Sequence, residues 1–228
     1  MRFSKFHMIT FLESHHIVLT ISSFIYNMVF SPSILKYYLT KRVVIKDTFL
    51  RHVKIKLSGD ANIYIGPKSF MKNCTFIASG AESIIHIEGG STNVKNSFFI
   101  ANKNTGRIYV DSGFTSEGCE IKAHEGKSIT IGRDCMFSSG INISTTDYHS
   151  IITTPCGVRV NEAKDIIIGN HVWLSRNVII LKGVSIADDI VVGTGSTVSK
   201  SLTESHSIYV GNPARKVKSE VTWVRQLI

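Results

Sequence analysis

Cysteine is scarce and unpaired in this chain. Four occur in 228 residues, at Cys74, Cys119, Cys135 and Cys156, and none stands in the close pairs that zinc or redox motifs need. No metal is therefore expected. No signal peptide with a small-residue cleavage site precedes them, which makes a reducing, cytoplasmic compartment the default expectation. Acidic residues are few as well, 17 against 26 Lys and Arg, for a formal net charge of +9. That imbalance favours an anionic partner, whether nucleic acid, membrane surface, acidic glycan or a phosphate-rich cofactor. Nucleic acid is set aside: the positive charges are scattered apart from a concentration near the C-terminus, and no arginine-rich tract interleaved with aromatics is present. A membrane-spanning run is also missing. The apolar stretch at 17–30, IVLTISSFIYNMVF, is shorter than a bilayer span and is interrupted by Ser22, Ser23 and Asn27.

What the chain does have is a period of six. Aliphatic residues stand at Ile168, Leu174, Ile180, Ile186, Val192 and Val198, and four positions after each come Val172, Val178, Val184, Ile190, Ser196 and Leu202. A helix repeats at 3.6 and a strand at 2, so a fixed pair of inward side chains every six residues describes the flat faces of a β-solenoid. Small or turn-forming residues follow the lead aliphatic at Gly169, Ser175, Ala187 and Gly193, where the chain has to bend. Upstream the same register is looser. It predicts one inward column at Val53, Ile65, Met71 and Ile77 and a second at Leu57, Ile63, Ala81 and Ile87, returning later at Ile131, Phe137 and Ile143. Residues 89–118 keep β-rich runs but lose the sixfold count. Three faces close one coil, so about 18 residues make a turn and roughly eight coils stack at the ~4.8 Å strand spacing.

The expected architecture is all-β: a parallel β-helix over 48–210, preceded by a helical segment at 1–47 and followed by a tail at 211–228. Val221, Trp223, Val224 and Leu227 at helical spacing predict a short C-terminal helix. Residues 17–30 predict a helix, Pro32 and Ser33 break it, and Ile34 to Leu39 start a second one. Such a pair covers the open first coil that a solenoid cannot leave bare. With Lys36, Lys41, Arg42, Tyr37 and Tyr38 beside it, the segment also suits peripheral contact with an anionic membrane surface, which would put the protein on the inner membrane.

The register breaks once within the strongest tract. Ile143 and Ile168 are four sixes plus one apart, so a loop leaves the helix between them, over 147–165, with Pro155 and Gly157 inside it. A projecting loop on a rigid solenoid is where function tends to sit. Of the nine histidines, His149 alone lies in this break, whereas His171 falls on an outward slot where a solvated side chain is expected.

The strings Ile168-Gly169-Asn170-His171-Val172-Trp173, Gly193-Thr194-Gly195-Ser196 and Gly211-Asn212-Pro213-Ala214-Arg215 resemble the end of the hexapeptide-repeat acyltransferases. Thr145-Thr146-Asp147-Tyr148-His149, followed by Trp173, is most similar to enzymes that O-acetylate bacterial surface glycans, among them those acting on sialic and polysialic acid. The resemblance implies a left-handed β-helix, a hand that parallel crossovers otherwise avoid, and a homotrimer with acetyl-coenzyme A in the groove between subunits. It implies His149 as general base and Trp173 beside the thioester. Arg176, Thr194 and Ser199 are implied as the line of the pantetheine arm, and Lys200, Arg215 and Lys218 as phosphate ligands. The acceptor would be a hydroxyl of a capsule or other surface glycan. Direct transfer is expected, with two points open: Cys156 offers an acetyl-cysteine intermediate, and Asp147 is either an orienting partner of His149 or a turn carboxylate. Other acceptors (a maltose-like sugar, an amino sugar, serine, an antibiotic) and a non-catalytic binding solenoid are the alternatives the residues leave open.

Overall fold

The computed structural model describes residues 16–38, 40–102 and 105–228. The remainder of the 1–47 segment lies outside the described residues. Helix α1 (His16–Phe30) and a 3-10 turn (Pro32–Tyr37) lead into 21 strands, β1 (Val43–Ile45) to β21 (Ala214–Lys218). Strand pairing is parallel throughout the body. One face stacks β1, β4, β7, β10, β12, β14 and β17. A second stacks β2, β5, β8, the start of β11 (Thr115–Ala123) and of β13 (Met136–Ser144), then β15, β18 and β20, while β3, β6, β9, the ends of β11 and β13, β16 and β19 form the third.

All twelve inward positions predicted from the sixfold tract are buried, Ser196 included. There the coil is 18 residues long, as in Ile168 opposite Ile186 and Ile180 opposite Val198. Earlier coils are longer: Ile63 faces Ile85, 22 residues on, and Ile85 faces Ile108, 23 on. The longer coils give seven strands on the first face, so the solenoid makes about seven turns where eight were expected. They also displace the upstream register. Ile77 is only half-buried because Phe76 and Ala78 take the inward slots of β6 (Thr75–Ser79), and Ala81 is an exposed turn residue. Residues 89–118 are regular strands within this longer period. The extra length accommodates bulk: Phe76 and Phe99 stack at 5.1 Å, and Phe114 meets Phe137 edge-on at 4.9 Å, pairs each contributing about 0.5–1.5 kcal/mol beyond area burial.

The first strands begin at Val43, and α1 closes the edge above them. An open edge exposes unpaired backbone groups, and here side chains pair them. Asn27 donates to the Thr48 carbonyl (2.9 Å) and accepts the Leu50 N–H (2.7 Å). Ser31 donates to the Leu50 carbonyl and accepts the Val53 N–H, and Tyr37 donates to the Ile55 carbonyl. The residues that interrupt the apolar run are thus edge-pairing groups. The second helix is a single 3-10 segment, since Pro32 lacks the N–H a longer α-helix would use.

The tail departs from expectation. β20 (Ser207–Gly211) and β21 form an antiparallel hairpin, and residues 219–228 contain no helix. They run extended along the solenoid wall. Trp223 is buried against His171, so its spacing reflects pockets on that wall and not a helix face.

Candidate functional site

β13 ends at Ser144 and β14 (Ile166–Ile168) resumes the stack with Ile129 opposite Ile166. The intervening loop therefore leaves from the corner between third and first faces, as the register break predicts. It is a built structure. Ile152 bridges Arg159 in antiparallel fashion, and the Val160 N–H reaches the Ile151 carbonyl, making a small hairpin with Cys156 at its tip and His149 at its base. At the base sits Asn161, 8% exposed. Its amide donates to the His149 carbonyl (2.8 Å) and to Asp147 Oδ2 (2.9 Å), and its oxygen accepts the Ile151 N–H (2.8 Å). Arg159 reaches back to Glu125 (2.7 Å), which also accepts from Thr146 (2.5 Å).

The Asp147 carboxylate is taken by Lys182 (2.5 Å) together with Asn161. The Lys182 hydrogen bond, followed by that of Asn161, holds its carboxyl below the usual carboxylate range. Its stabilising part is accordingly present above an ordinary carboxylate pKa of about 4 and lost only as pH falls through the lower folded value. Asp147 thus anchors the backbone that carries His149, and the His149 side chain is left exposed at the hairpin base. Sequence reading missed Asn161 and Lys182. Neither belongs to a periodic column, and only the folded loop brings them to Asp147.

The remaining candidates fall at two corners. Trp173, half-buried, opens β15 (Trp173–Leu174) on the second face. Arg176 follows it at the corner between second and third faces, and Thr194 occupies the same corner one coil on, where the Gly195 N–H donates to the Arg176 carbonyl (2.8 Å). Gly195 has φ +70 with open space at its Cβ position, which leaves that backbone accessible. Ser199 and Lys200 sit instead at the third-to-first corner, one coil beyond Leu181 and Lys182, on the His149 side. Arg215 and Lys218 are exposed on β21, while Lys216 is engaged by Glu204. Within one chain, His149 and Trp173 are therefore carried by different edges of the prism.

The rival nucleophiles separate cleanly. Cys135 is buried as expected, and burial pushes its thiol up to about 12. Cys156 is exposed, its thiol lowered by the Thr153 hydroxyl 2.9 Å away and by the Val158 backbone. Its position at the hairpin tip separates it from His149 at the base. His171 departs from the solvated reading: Nε2 lies 2.9 Å from the Trp223 carbonyl and Nδ1 3.3 Å from Asp134. Among the described residues no cluster of side chains could hold a metal ion.

A parallel β-solenoid of 18-residue hexad coils, interrupted once by a histidine-bearing hairpin, defines a left-handed β-helix acyltransferase. The chain is 34% identical over 178 residues to a polysialic acid O-acetyltransferase of Neisseria meningitidis, spanning 75% of this chain and 79% of that one. It belongs to the family of these hexapeptide-repeat O-acetyltransferases. A polysialic acid O-acetyltransferase of Escherichia coli O1:K1 is 42% identical over 98 residues, covering 43% of this chain and 32% of the relative. Among solved structures, the polysialic acid O-acetyltransferase OatWY superimposes with a TM-score of 0.60 at 28% identity, covering 77% of this chain and 92% of the other. No family model matches.

Proposed function

We propose that this O-acetyltransferase transfers acetyl from acetyl-coenzyme A directly to a hydroxyl of polysialic acid or a related sialylated capsule glycan, with His149 as general base. The observation that carries this reading is the single break in the solenoid, which presents His149 on an anchored hairpin in a chain related over three-quarters of its length to a polysialic acid O-acetyltransferase. A sugar hydroxyl is a poor nucleophile at neutral pH, and neutral imidazole, with an ordinary pKa near 6.5, takes its proton as the oxygen attacks the thioester carbonyl. The tetrahedral oxyanion needs a donor, for which the Trp173 indole N–H or backbone N–H groups are suited. Collapse expels the coenzyme A thiolate, and the imidazolium returns the proton to it. The free cysteines fit a reducing cytoplasm.

The two-corner distribution supports a trimer in which the His149 hairpin of one copy meets the Trp173 edge of the next. Arg176, Thr194 and Ser199 then line the pantetheine arm, with Lys200, Arg215 and Lys218 holding the phosphates. Reversing Arg215 and Lys218 to Glu is expected to raise the KM for acetyl-coenzyme A by about tenfold or more while leaving the glycan KM close to normal. Steady-state kinetics with each substrate varied in turn checks it, and an unchanged donor KM would remove both residues from the site.

Membrane contact is a further part of the proposal. No described helix is long and apolar enough to cross a bilayer, but α1 turns Val18, Ile21, Ile25, Met28 and Val29 outward, Val29 66% exposed, beside the basic residues 36, 41 and 42. That arrangement suits an interfacial helix on anionic lipid. The double variant Ile21→Glu, Ile25→Glu is expected to abolish flotation with anionic vesicles without altering turnover on soluble glycan; flotation equal to wild type would exclude the contact.

A further inference from the structure

A ten-residue tail beyond the last strand is by default poorly ordered, yet residues 219–228 are tied down across successive coils. The Val221 N–H donates to the His206 carbonyl. Trp223 is 5% exposed; its indole N–H donates to the His171 carbonyl (2.9 Å), and its ring lies 4.1 Å from the His171 ring and 6.1 Å from Trp173. Two residues on, the Arg225 guanidinium reaches Asp134 Oδ1 (2.7 Å), the Thr115 hydroxyl (2.8 Å) and the Gly113 carbonyl (3.1 Å). Asp134 in turn faces His171 Nδ1. Strap, His171 and Asp134 form one network on the edge between first and second faces.

Trp173 is the second-face residue next to that edge. On its strand ladder it is flanked by Met136 and Val191. Trp223 closes the side toward the strap, and the opposite side opens toward the corner of Arg176 and Thr194. We infer that the C-terminal strap is a positioning element for Trp173: Trp223, locked by His171 and pinned by Arg225, backs the indole and keeps its free side turned to the coenzyme groove. The inference rests on the reading that Trp173 lines that groove. Trp223 and Arg225 touch neither substrate, so they act through Trp173 by restricting its rotamer.

The chain contains two tryptophans, which provides a direct readout. In Trp223→Phe the aromatic backing is kept and Trp173 becomes the sole emitter. Its fluorescence should respond to coenzyme A with a Kd near that of wild type measured by calorimetry. Trp223→Ala removes the backing; coenzyme A should bind about three- to tenfold more weakly, the penalty of an unrestrained rotamer, with a matching rise in donor KM and kcat little changed. Arg225→Gln is the second variant and should shift the same constants if Trp223→Ala fails to fold. A role in stability alone would lower the melting temperature but leave the Kd of the folded fraction untouched, and equal affinity in the Phe and Ala variants would overturn the proposal. Calorimetric binding to Trp223→Phe with no response from Trp173 emission would show that Trp173 lies outside the groove, overturning both that placement and the role of the strap.

Discussion

Replacing His149 with alanine is expected to lower acetyl transfer by about 10²–10⁴-fold, the usual contribution of a positioned general base. The fold should be unaffected, because the side chain is exposed and the hairpin is held by the His149 carbonyl and not by its ring. Asn161, Asp147 and Lys182 keep their mutual hydrogen bonds in the variant. Cys156→Ala should retain most activity, since that thiol stands at the hairpin tip, away from the base. Parallel turnover assays and melting curves check the pair. A cysteine variant as inactive as the histidine variant would contradict direct transfer and favour an acetyl-cysteine intermediate.

The second large effect concerns stability at the other end of the molecule. Asn27→Leu lengthens the apolar run of α1 and, on hydropathy alone, would strengthen a lipid-embedded helix. It is expected instead to destabilise the protein by about 2–4 kcal/mol, because the buried Leu50 N–H and Thr48 carbonyl lose their partners and cannot reach water. For a chain of this size that corresponds to roughly 5–15 °C in Tm. Hydrogen exchange should accelerate first in β2 (Thr48–Arg51) and β3 (Lys54–Ser58), since solenoid coils depend chiefly on their neighbours. Unchanged stability with tighter vesicle binding would mean that Asn27 does not pair an edge. The test separates the two sides of α1, for the membrane proposal involves only its outward residues.

These two sites show where residue patterning is informative and where it is not. The sixfold columns from Ile168 to Leu202 could be read position by position, because each inward slot there has one neighbour above and below at a constant 18 residues. The same count failed at Ile77 and Ala81, where longer coils with phenylalanine cores shift the phase. His149 was visible as a break in that count. The groups holding it were not, because Asn161 and Lys182 meet Asp147 only through a loop whose path no periodicity describes. In the tail, Trp223 and Arg225 had a helical spacing by coincidence. Their partners lie 52 and more than 90 residues earlier, a separation that a local pattern cannot report. Asn27 was read as a flaw in an apolar segment because its partners are backbone groups of the strand edge, which every sequence has.

The central claim is acetyl transfer from acetyl-coenzyme A to a sialylated polymer through His149. Its most direct test incubates the purified protein with acetyl-coenzyme A and polysialic acid, follows thiol release, and reads O-acetyl esters on the glycan by mass spectrometry, for wild type and His149→Ala. The account predicts ester formation matched to thiol release in the wild type and neither in the variant. Thiol release without esters on the glycan, or equal ester yield from the variant, would contradict it.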